Sequence, residues 1–239
     1  MKIAILGYGK MGKTVEKIAQ NRQHEIVFKT SEKLDIEKLK SAEVAIDFST
    51  PEAAFENITT CLKYNIPVIS GTTGWLDKFE KTKNICRDHK GRFLYASNFS
   101  IGVNIFFEVN AYLAEMMANM DSYNVNLKEI HHLEKKDAPS GTAISLAEQI
   151  IDKTRFTNWN YPPKQDNNSI PIEAERKAGI FGIHEITYES EIDKININHE
   201  AKSRDGFAFG AVVAAEWIIN QDEGVYEMKN VLQNKNKND

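Results

Sequence analysis

Lys2-Ile3-Ala4-Ile5-Leu6-Gly7-Tyr8-Gly9-Lys10-Met11-Gly12 is the stretch that decides the fold. The apolar run Ile3–Leu6 reads as a buried strand. The Gly7-x-Gly9-x-x-Gly12 spacing then turns the chain into a helix that carries Val15, Ile18 and Ala19 on one face. In that context the first glycine permits the tight turn and the second lets a pyrophosphate approach the backbone. The third allows close helix–strand packing, with phosphate at the positive end of the helix dipole. A bare glycine turn explains the same residues less well, because the match stands at the head of an alternating series of strands and helices.

Outward from that stretch, Glu25–Lys29, Val44–Phe48, Ile66–Ser70 and Arg92–Ala96 read as further strands. Between them lie a helix from the Ser49-Thr50-Pro51 cap cluster to about Tyr64 and another over Leu76–Asp88. Such alternation predicts a parallel sheet with helices on its faces. After Asn98-Phe99-Ser100 the pattern changes. Asn104–Met120 reads as a long helix, apolar nearly all round as a buried or interface helix is, followed by a strand over Val125–His132 and a helix over Thr142–Lys153. Residues 154–169 read as a loop. Ile170–Arg176, Ile183–Ser190 and Ile195–Lys202 are β-like, the last with one wet face, and Phe207–Asn220 is a helix before a polar tail, Asn234–Asp239, that reads as frayed. The chain is thus expected to be an α/β half followed by an α+β half with a mixed sheet.

Composition narrows the function. The 239 residues make one large domain or two small ones, and 41% hydrophobic with 27% charged residues is ordinary for a soluble globular chain. With 34 acids against 30 bases, the net charge of −4 argues against nucleic acid as a partner. No apolar run approaches the roughly 18 residues of a membrane span, and the N-terminal run is too short for a signal peptide. Cys61 and Cys86 stand without any Cys-x-x-Cys or His-Glu-x-x-His pattern. The expectation is therefore no metal site, no disulfide framework, and two reduced, mostly buried thiols in a cytoplasmic protein.

Two segments carry chemistry. The second strand ends Lys29-Thr30-Ser31-Glu32-Lys33, where an acid normally takes the ribose hydroxyl of NAD. Ser31 occupies the acid's place. The hydroxyl and lysines favour the 2′-phosphate of NADPH, while Glu32 opposes it. The denser segment is Glu129-Ile130-His131-His132-Leu133-Glu134-Lys135-Lys136-Asp137-Ala138-Pro139-Ser140-Gly141-Thr142-Ala143. Adjacent histidines at a strand end point to opposite faces, so they do not readily share a metal. An imidazole titrates near neutrality and donates protons, and Lys135 brings positive charge back toward it. Ser140 reads as the cap of a helix whose first amides, at Gly141 and Thr142, suit a carboxylate. The blander reading is an exposed loop with a capped helix and surface charges. His24 and His89 read as surface residues, His184 and His199 as structural ones on strands.

The string His131-His132-x-x-Lys135-x-Asp137-Ala138-Pro139-Ser140-Gly141-Thr142-Ala143 resembles the signature of the 4-hydroxy-tetrahydrodipicolinate (dihydrodipicolinate) reductase family of bacterial lysine synthesis. Further landmarks resemble that family in order: Gly7–Gly12, Asp47-Phe48-Ser49, Gly71-Thr72-Thr73-Gly74, Ala96–Ser100 with Gly102-Val103-Asn104, and Arg176-x-x-Gly179-x-x-Gly182-x-His184-Glu185. The resemblance implies a Rossmann-type nucleotide domain over 1–98 and 204–239, and a substrate-binding and oligomerisation domain over 99–203. It implies NADPH or NADH reducing a small anionic dicarboxylate ring, in a homotetramer. His131 would be the proton donor and Lys135 a second acid. His132, Lys135, Gly141 and Thr142 would hold substrate, with Ser140 as cap and contact. Gly7, Tyr8, Gly9, Lys10, Met11, Gly12, Ser31, Gly71, Thr72, Thr73, Ala96, Ser97, Asn98 and Phe99 would line the cofactor. The chain departs from the pattern in its missing second-strand acid, a short glycine loop and an abbreviated segment before Val44. The competing readings are another two-domain NAD(P)-dependent oxidoreductase and a non-catalytic NADP-sensing protein.

Overall fold

β1 (Lys2–Leu6) is buried along Ile3–Leu6 and is an interior strand of a six-stranded sheet, as a run without polar alternation requires. The computed structural model describes residues 1–161, 167–203 and 205–233. After β1 come α1 (Lys10–Asn21), β2 (Glu25–Thr30), α2 (Ile36–Leu39), β3 (Val44–Asp47), α3 (Pro51–Lys63), β4 (Val68–Ser70), a 3-10 turn at Leu76–Lys78, α4 (Phe79–Asp88) and β5 (Arg92–Tyr95). Val15 and Ala19 of α1 are fully buried and Ile18 packs against the same core, as the helical spacing predicts.

The second half of the chain contributes α5 (Ile101–Met117), β6 (Asn124–His131), α6 (Gly141–Ile151), β7 (Asn158–Asn160), β8 (Ser169–Arg176), β9 (Gly182–Glu189) and β10 (Lys194–Ala201). It ends with α7 (Asp205–Ile218), β11 (Gly224–Tyr226) and α8 (Met228–Gln233). The chain divides into two compact units, residues 1–104 with the segment from Asp205 onward, and residues 105–204. In the first, the order is β11-β5-β4-β3-β1-β2, all parallel. Its direction reverses between β1 and β3, the switch point at which open α/β sheets bind ligands beyond the carboxyl ends of their strands. In the second unit the order is β10-β9-β6-β8-β7, with β6 antiparallel to β9 and parallel to β8. This is the α/β and mixed-sheet architecture expected from the sequence.

Several boundaries differ from the sequence reading, each for a local reason. β4 starts at Val68, because Ile66 closes a turn onto Cys61 (2.9 Å) and Pro67 has no amide to donate. α3 starts as expected after Thr50 with Pro51 in its first turn, but the Thr50 side chain makes no capping bond. α5 begins at Ile101, where the Ser100 carbonyl accepts the Asn104 amide (3.0 Å), and it is not buried all round. Ile105, Val109, Tyr112 and Met116 are exposed in a stripe. Residues 154–169 are not wholly loop, since β7 pairs with β8 there; residues 162–166 of that segment and the tail 234–239 lie outside the described residues. β11 and α8 had no sequence signal. Burial pushes the Cys61 thiol up and the Cys86 thiol to about 11, and the two remain unbridged.

Candidate active site

The glycine loop fits a dinucleotide phosphate. Gly7 takes φ +93°, and a Cβ there would sit 2.1 Å from the Phe48 carbonyl oxygen beyond β3. A Cβ at Gly12 would sit 2.3 Å from the Gly7 carbonyl oxygen, so the third glycine is a packing requirement. Gly9 differs: a Cβ on it meets nothing within 4 Å, so the surface above it is open. α1 then begins with no side-chain cap and no acid in its first turn, leaving its N-terminal amides and their partial positive charge available to an anion. Lys10 is exposed, while Met11 packs against the core.

Tyr8 and Ser31 are tied together. The Tyr8 amide donates to Ser31 Oγ (2.9 Å), which locks the glycine loop to the end of β2. Lys29 lies over the Tyr8 ring, 4.5 Å from its centroid, and pairs with Glu16 (2.8 Å), and the Tyr8 hydroxyl also donates to Glu16. These bonds hold the Glu16 carboxyl below its ordinary range.

The other expected cofactor residues follow the parallel strands, so they sit at the same sheet edge. Gly71 passes so close to Phe48 that a Cβ would be 2.2 Å from its ring. Thr72 is buried and donates to Asp47 (2.8 Å), while Thr73 is exposed. Asp47 also accepts from Ser49, Asn57 and Ser70 at 2.7–3.0 Å. That carboxylate, absent from the sequence reading as a site residue, ties the ends of β3 and β4 to α3. Burial raises its pKa against the pull of these donors. Ala96 continues β5 by bonding to Ser70 (3.2 Å), Ser97 is exposed, and Asn98 accepts the Ser100 amide (2.8 Å). Phe99 is buried and meets Phe48 edge-on at 5.8 Å.

In the second unit the His-His segment closes on a carboxylate. Alternation along β6 puts Val125, Leu127, Glu129 and His131 on one buried face. Glu129 is fully buried. Its Oε1 accepts from the Ser140 amide (2.9 Å) and from Arg176 Nη2 (3.2 Å). Its Oε2 lies 3.1 Å from His131 Nδ1 and 3.9 Å from His184 Nε2. Burial opposes the Glu129 charge, but the contacts from His131 and Ser140 outweigh it and hold the carboxyl at about 2. His184 stands across the β6–β9 pair from Glu129, its ring 5.0 Å from that of His131. Burial, and the like charge of His131, lower its pKa to about 3. It is therefore a neutral ring whose Nε2 shares a hydrogen bond with the Ser140 hydroxyl at 3.3 Å.

Arg176, opposite His131 in the β6–β8 register, stitches the loop down. Its guanidinium donates to the carbonyls of Lys135 (3.2 Å) and Asp137 as well as to Glu129. Lys135 is half-buried and pairs with both oxygens of Asp137 at 2.8 and 2.9 Å. His132 lies just past the strand and is half-buried. Ser140 caps α6 by accepting the Ala143 amide (3.2 Å), as expected. The Gly141 and Thr142 amides precede the first intrahelical bond, from Ile144 to Ser140, and a Cβ on Gly141 meets nothing within 4 Å. An imidazole, an ammonium group and an open helix start thus share one short segment. Glu129, His131 and His184 are metal-binding residue types with ligand atoms within 4.8 Å of one another, but the Arg176 guanidinium already supplies the positive charge that Glu129 requires.

Glu129, Arg176 and His184 were not read as site residues from sequence. Glu129 had a local signal, being two positions before His131 on a strand and hence on the same face, while Arg176 and His184 stood in a family landmark that carried no role.

Comparison with known proteins identifies the family of the chain. The model of the dihydrodipicolinate reductase N-terminus matches residues 1–99, and that of the C-terminus residues 102–232. The 4-hydroxy-tetrahydrodipicolinate reductase of Christiangramia forsetii is 53% identical, with the whole of both chains aligned. That of Rickettsia bellii is 36% identical over 95% of this chain and 92% of its own. Among solved structures, the dipicolinate-bound dihydrodipicolinate reductase from a Paenisporosarcina species shares the fold, with TM-score 0.80 and 23% identity over 95% of this chain and 97% of that one. The amine dehydrogenase of Mycobacterium smegmatis shares it more loosely, with TM-score 0.63 and 10% identity over 95% of this chain and 94% of its own. On these matches, which span nearly every residue, the chain belongs to the dihydrodipicolinate reductase family.

Proposed function

We propose that residues 1–98 and 204–239 bind the nucleotide and that residues 99–203 bind the substrate, with His131 as proton donor. As a member of its family, the chain is a pyridine-nucleotide-dependent reductase that converts 4-hydroxy-tetrahydrodipicolinate to tetrahydrodipicolinate and water, on the way to diaminopimelate and lysine. The observation that supports the residue assignment is the presence of His131, Lys135 and the open start of α6 together in one short segment.

A bound NADPH or NADH supplies the hydride. The chain's own groups do the rest. Substrate carboxylates are held by the Gly141 and Thr142 amides, with Ser140 fixing the helix start and His132 alongside. Lys135 releases Asp137 to meet a carboxylate and supplies positive charge. Loss of the ring hydroxyl with a neighbouring hydrogen as water leaves an unsaturated ring; hydride arriving at one of its carbons leaves negative charge on the neighbour, and His131 delivers the proton that quenches it, with Lys135 as second acid. Nδ1 of His131 is buried, so the proton passed outward is the one on Nε2. Gly7, Tyr8, Gly9, Lys10, Met11 and Gly12 would hold the nucleotide's pyrophosphate, Ser31 its ribose, and Gly71–Thr73 with Ala96–Phe99 would line the rest of the cofactor.

Ser31 in place of the acid supports NADPH over NADH, with Glu32 reducing the margin. The edge strand β10 and the exposed Ile192 and Ile195 support self-association through the second unit, as a homotetramer working in the cytoplasm. The test is oxidation of each reduced nucleotide with the cyclic substrate generated freshly from pyruvate and aspartate semialdehyde. Turnover with a larger kcat/KM for NADPH is expected. Absence of turnover with both nucleotides, in a protein that still binds them, would favour an NADP-sensing role instead.

A further inference from the structure

We infer that Glu129 is the positioning residue of the proton donor: its carboxylate holds the His131 ring by Nδ1 and keeps the transferable proton on Nε2. The inference rests on His131 being that donor. Three observations carry it. First, Glu129 occupies a place in a buried row otherwise filled by Val125 and Leu127, where a carboxylate has no packing reason to be. Arg176 and the Ser140 amide satisfy only one of its oxygens.

Second, the remaining oxygen, Oε2, and His131 Nδ1 are both buried, both without a hydrogen-bond partner, and 3.1 Å apart. The distance is that of a hydrogen bond but the alignment is not, and catalytic hydrogen bonds are often misaligned before substrate arrives. Rotation of the ring onto Oε2 satisfies two orphaned atoms at once.

Third, the far side of the ring is lined closely by the neighbouring strand at a glycine. The His131 Nε2 lies 3.2 Å from where a Cβ on Gly182 would stand, so the neighbouring strand leaves the imidazole just enough room. Gly182 needs no glycine for its backbone angles, since its φ is not positive.

The other charged and titratable groups around the pair do not compete for the proton near neutrality. Arg176 from β8 is permanently charged, and Lys135 and Asp137 from the loop neutralise each other. His184 from β9 is neutral, with His199 beyond it on β10 also lowered by burial. A carboxylate beside one imidazole nitrogen stabilises the protonated ring, so removing its charge weakens the hold on the proton.

The test is Glu129→Gln, which keeps an oxygen for the Ser140 amide, read alongside His131→Gln and the double variant. Turnover at saturating substrate and nucleotide is followed from about pH 5.5 to about pH 9. Glu129→Gln should move the alkaline limb of kcat to lower pH by about one unit or more, with activity regained near the acid end and substrate KM within about 3-fold. In the His131→Gln background the same change should cost less than about 2-fold. An unmoved limb, or a full further loss in that background, overturns the inference while leaving His131 as donor. Wild-type turnover in His131→Gln overturns the donor assignment itself and this inference with it. If Glu129→Gln does not fold, nitrogen NMR of His131 in the unaltered protein, saturated with oxidised nucleotide and pyridine-2,6-dicarboxylate, decides the matter: Nδ1 protonated and hydrogen-bonded above neutral pH is expected, and a bare Nδ1 overturns it.

Discussion

The Ser140 hydroxyl lies 3.3 Å from His184 Nε2 while accepting the Ala143 amide at 3.2 Å, so one side chain closes the start of α6 and anchors a ring on β9. The Ser140 hydroxyl can meet either tautomer of that ring, because it donates as well as accepts. Burial keeps His184 neutral. The helix start proposed to hold a substrate carboxylate is therefore braced by a histidine that does not titrate in the working range.

That brace makes stability pH-dependent with a definite sign. His184 has a folded pKa of about 3 against an ordinary 6.5, so between those values the unfolded chain binds the extra proton. Stability is complete above about pH 6.5 and falls as the pH drops toward 3, by on the order of a few kcal/mol in all. Glu129, depressed from 4.5 to about 2, adds a loss of the same sign further down. Urea unfolding at about pH 7.5, 5.5 and 4.5 checks it. The wild-type fall in stability from about pH 7.5 to about pH 4.5 should shrink in His184→Gln, and an equal fall in both would remove His184 as its source.

Lys135 is bound in the free protein by both oxygens of Asp137, yet its role is proposed to be toward substrate. Lys135→Ala should raise substrate KM by about 10-fold or more and lower kcat, because a charge-assisted bond of roughly 1.5–3 kcal/mol is removed. Nucleotide KM should stay as it was. Steady-state kinetics with each component varied in turn gives the answer, and unchanged constants would take Lys135 out of the site.

The glycines of the first loop separate folding from binding. Gly12→Ala drives a Cβ to 2.3 Å from the Gly7 carbonyl oxygen and should destabilise by about 1–3 kcal/mol, read as a lower Tm. Gly9→Val has open space and an ordinary φ of −86°, so it should melt close to wild type. It should nevertheless raise nucleotide KM by about 10-fold or more, since the branched side chain stands where phosphate approaches. Thermal melts paired with nucleotide titration distinguish the two effects.

Local sequence carried the parts of this protein that depend on neighbours along the chain. The strand–glycine–helix turn at Leu6–Gly12, the Ser140 cap and the apolar spacing of α1 are set within a few residues, and all are found where expected. The parts that depend on register were not legible. His184 meets Glu129, and Arg176 meets His131, only through the β6–β9 and β6–β8 pairings, and nothing in either strand alone specifies which residue stands opposite which. β7 and β11 are three residues long and too short for periodicity to register. Glu129 was within reach, as an acid in the apolar phase of a strand ending in histidine.

The first sheet is finished by the last elements of the chain: β11 pairs onto β5, and α7 covers Ile3, Ile5, Ile46, Ile69 and Leu94 with Ala208, Ala211, Val212 and Ala215. During synthesis, therefore, the opening residues leave the ribosome long before the surface they must bury against exists. A nascent chain stalled before Asp205 carries that greasy face bare, a natural client for chaperones, and ribosome-bound intermediates of that length should resist proteases less well than the released protein.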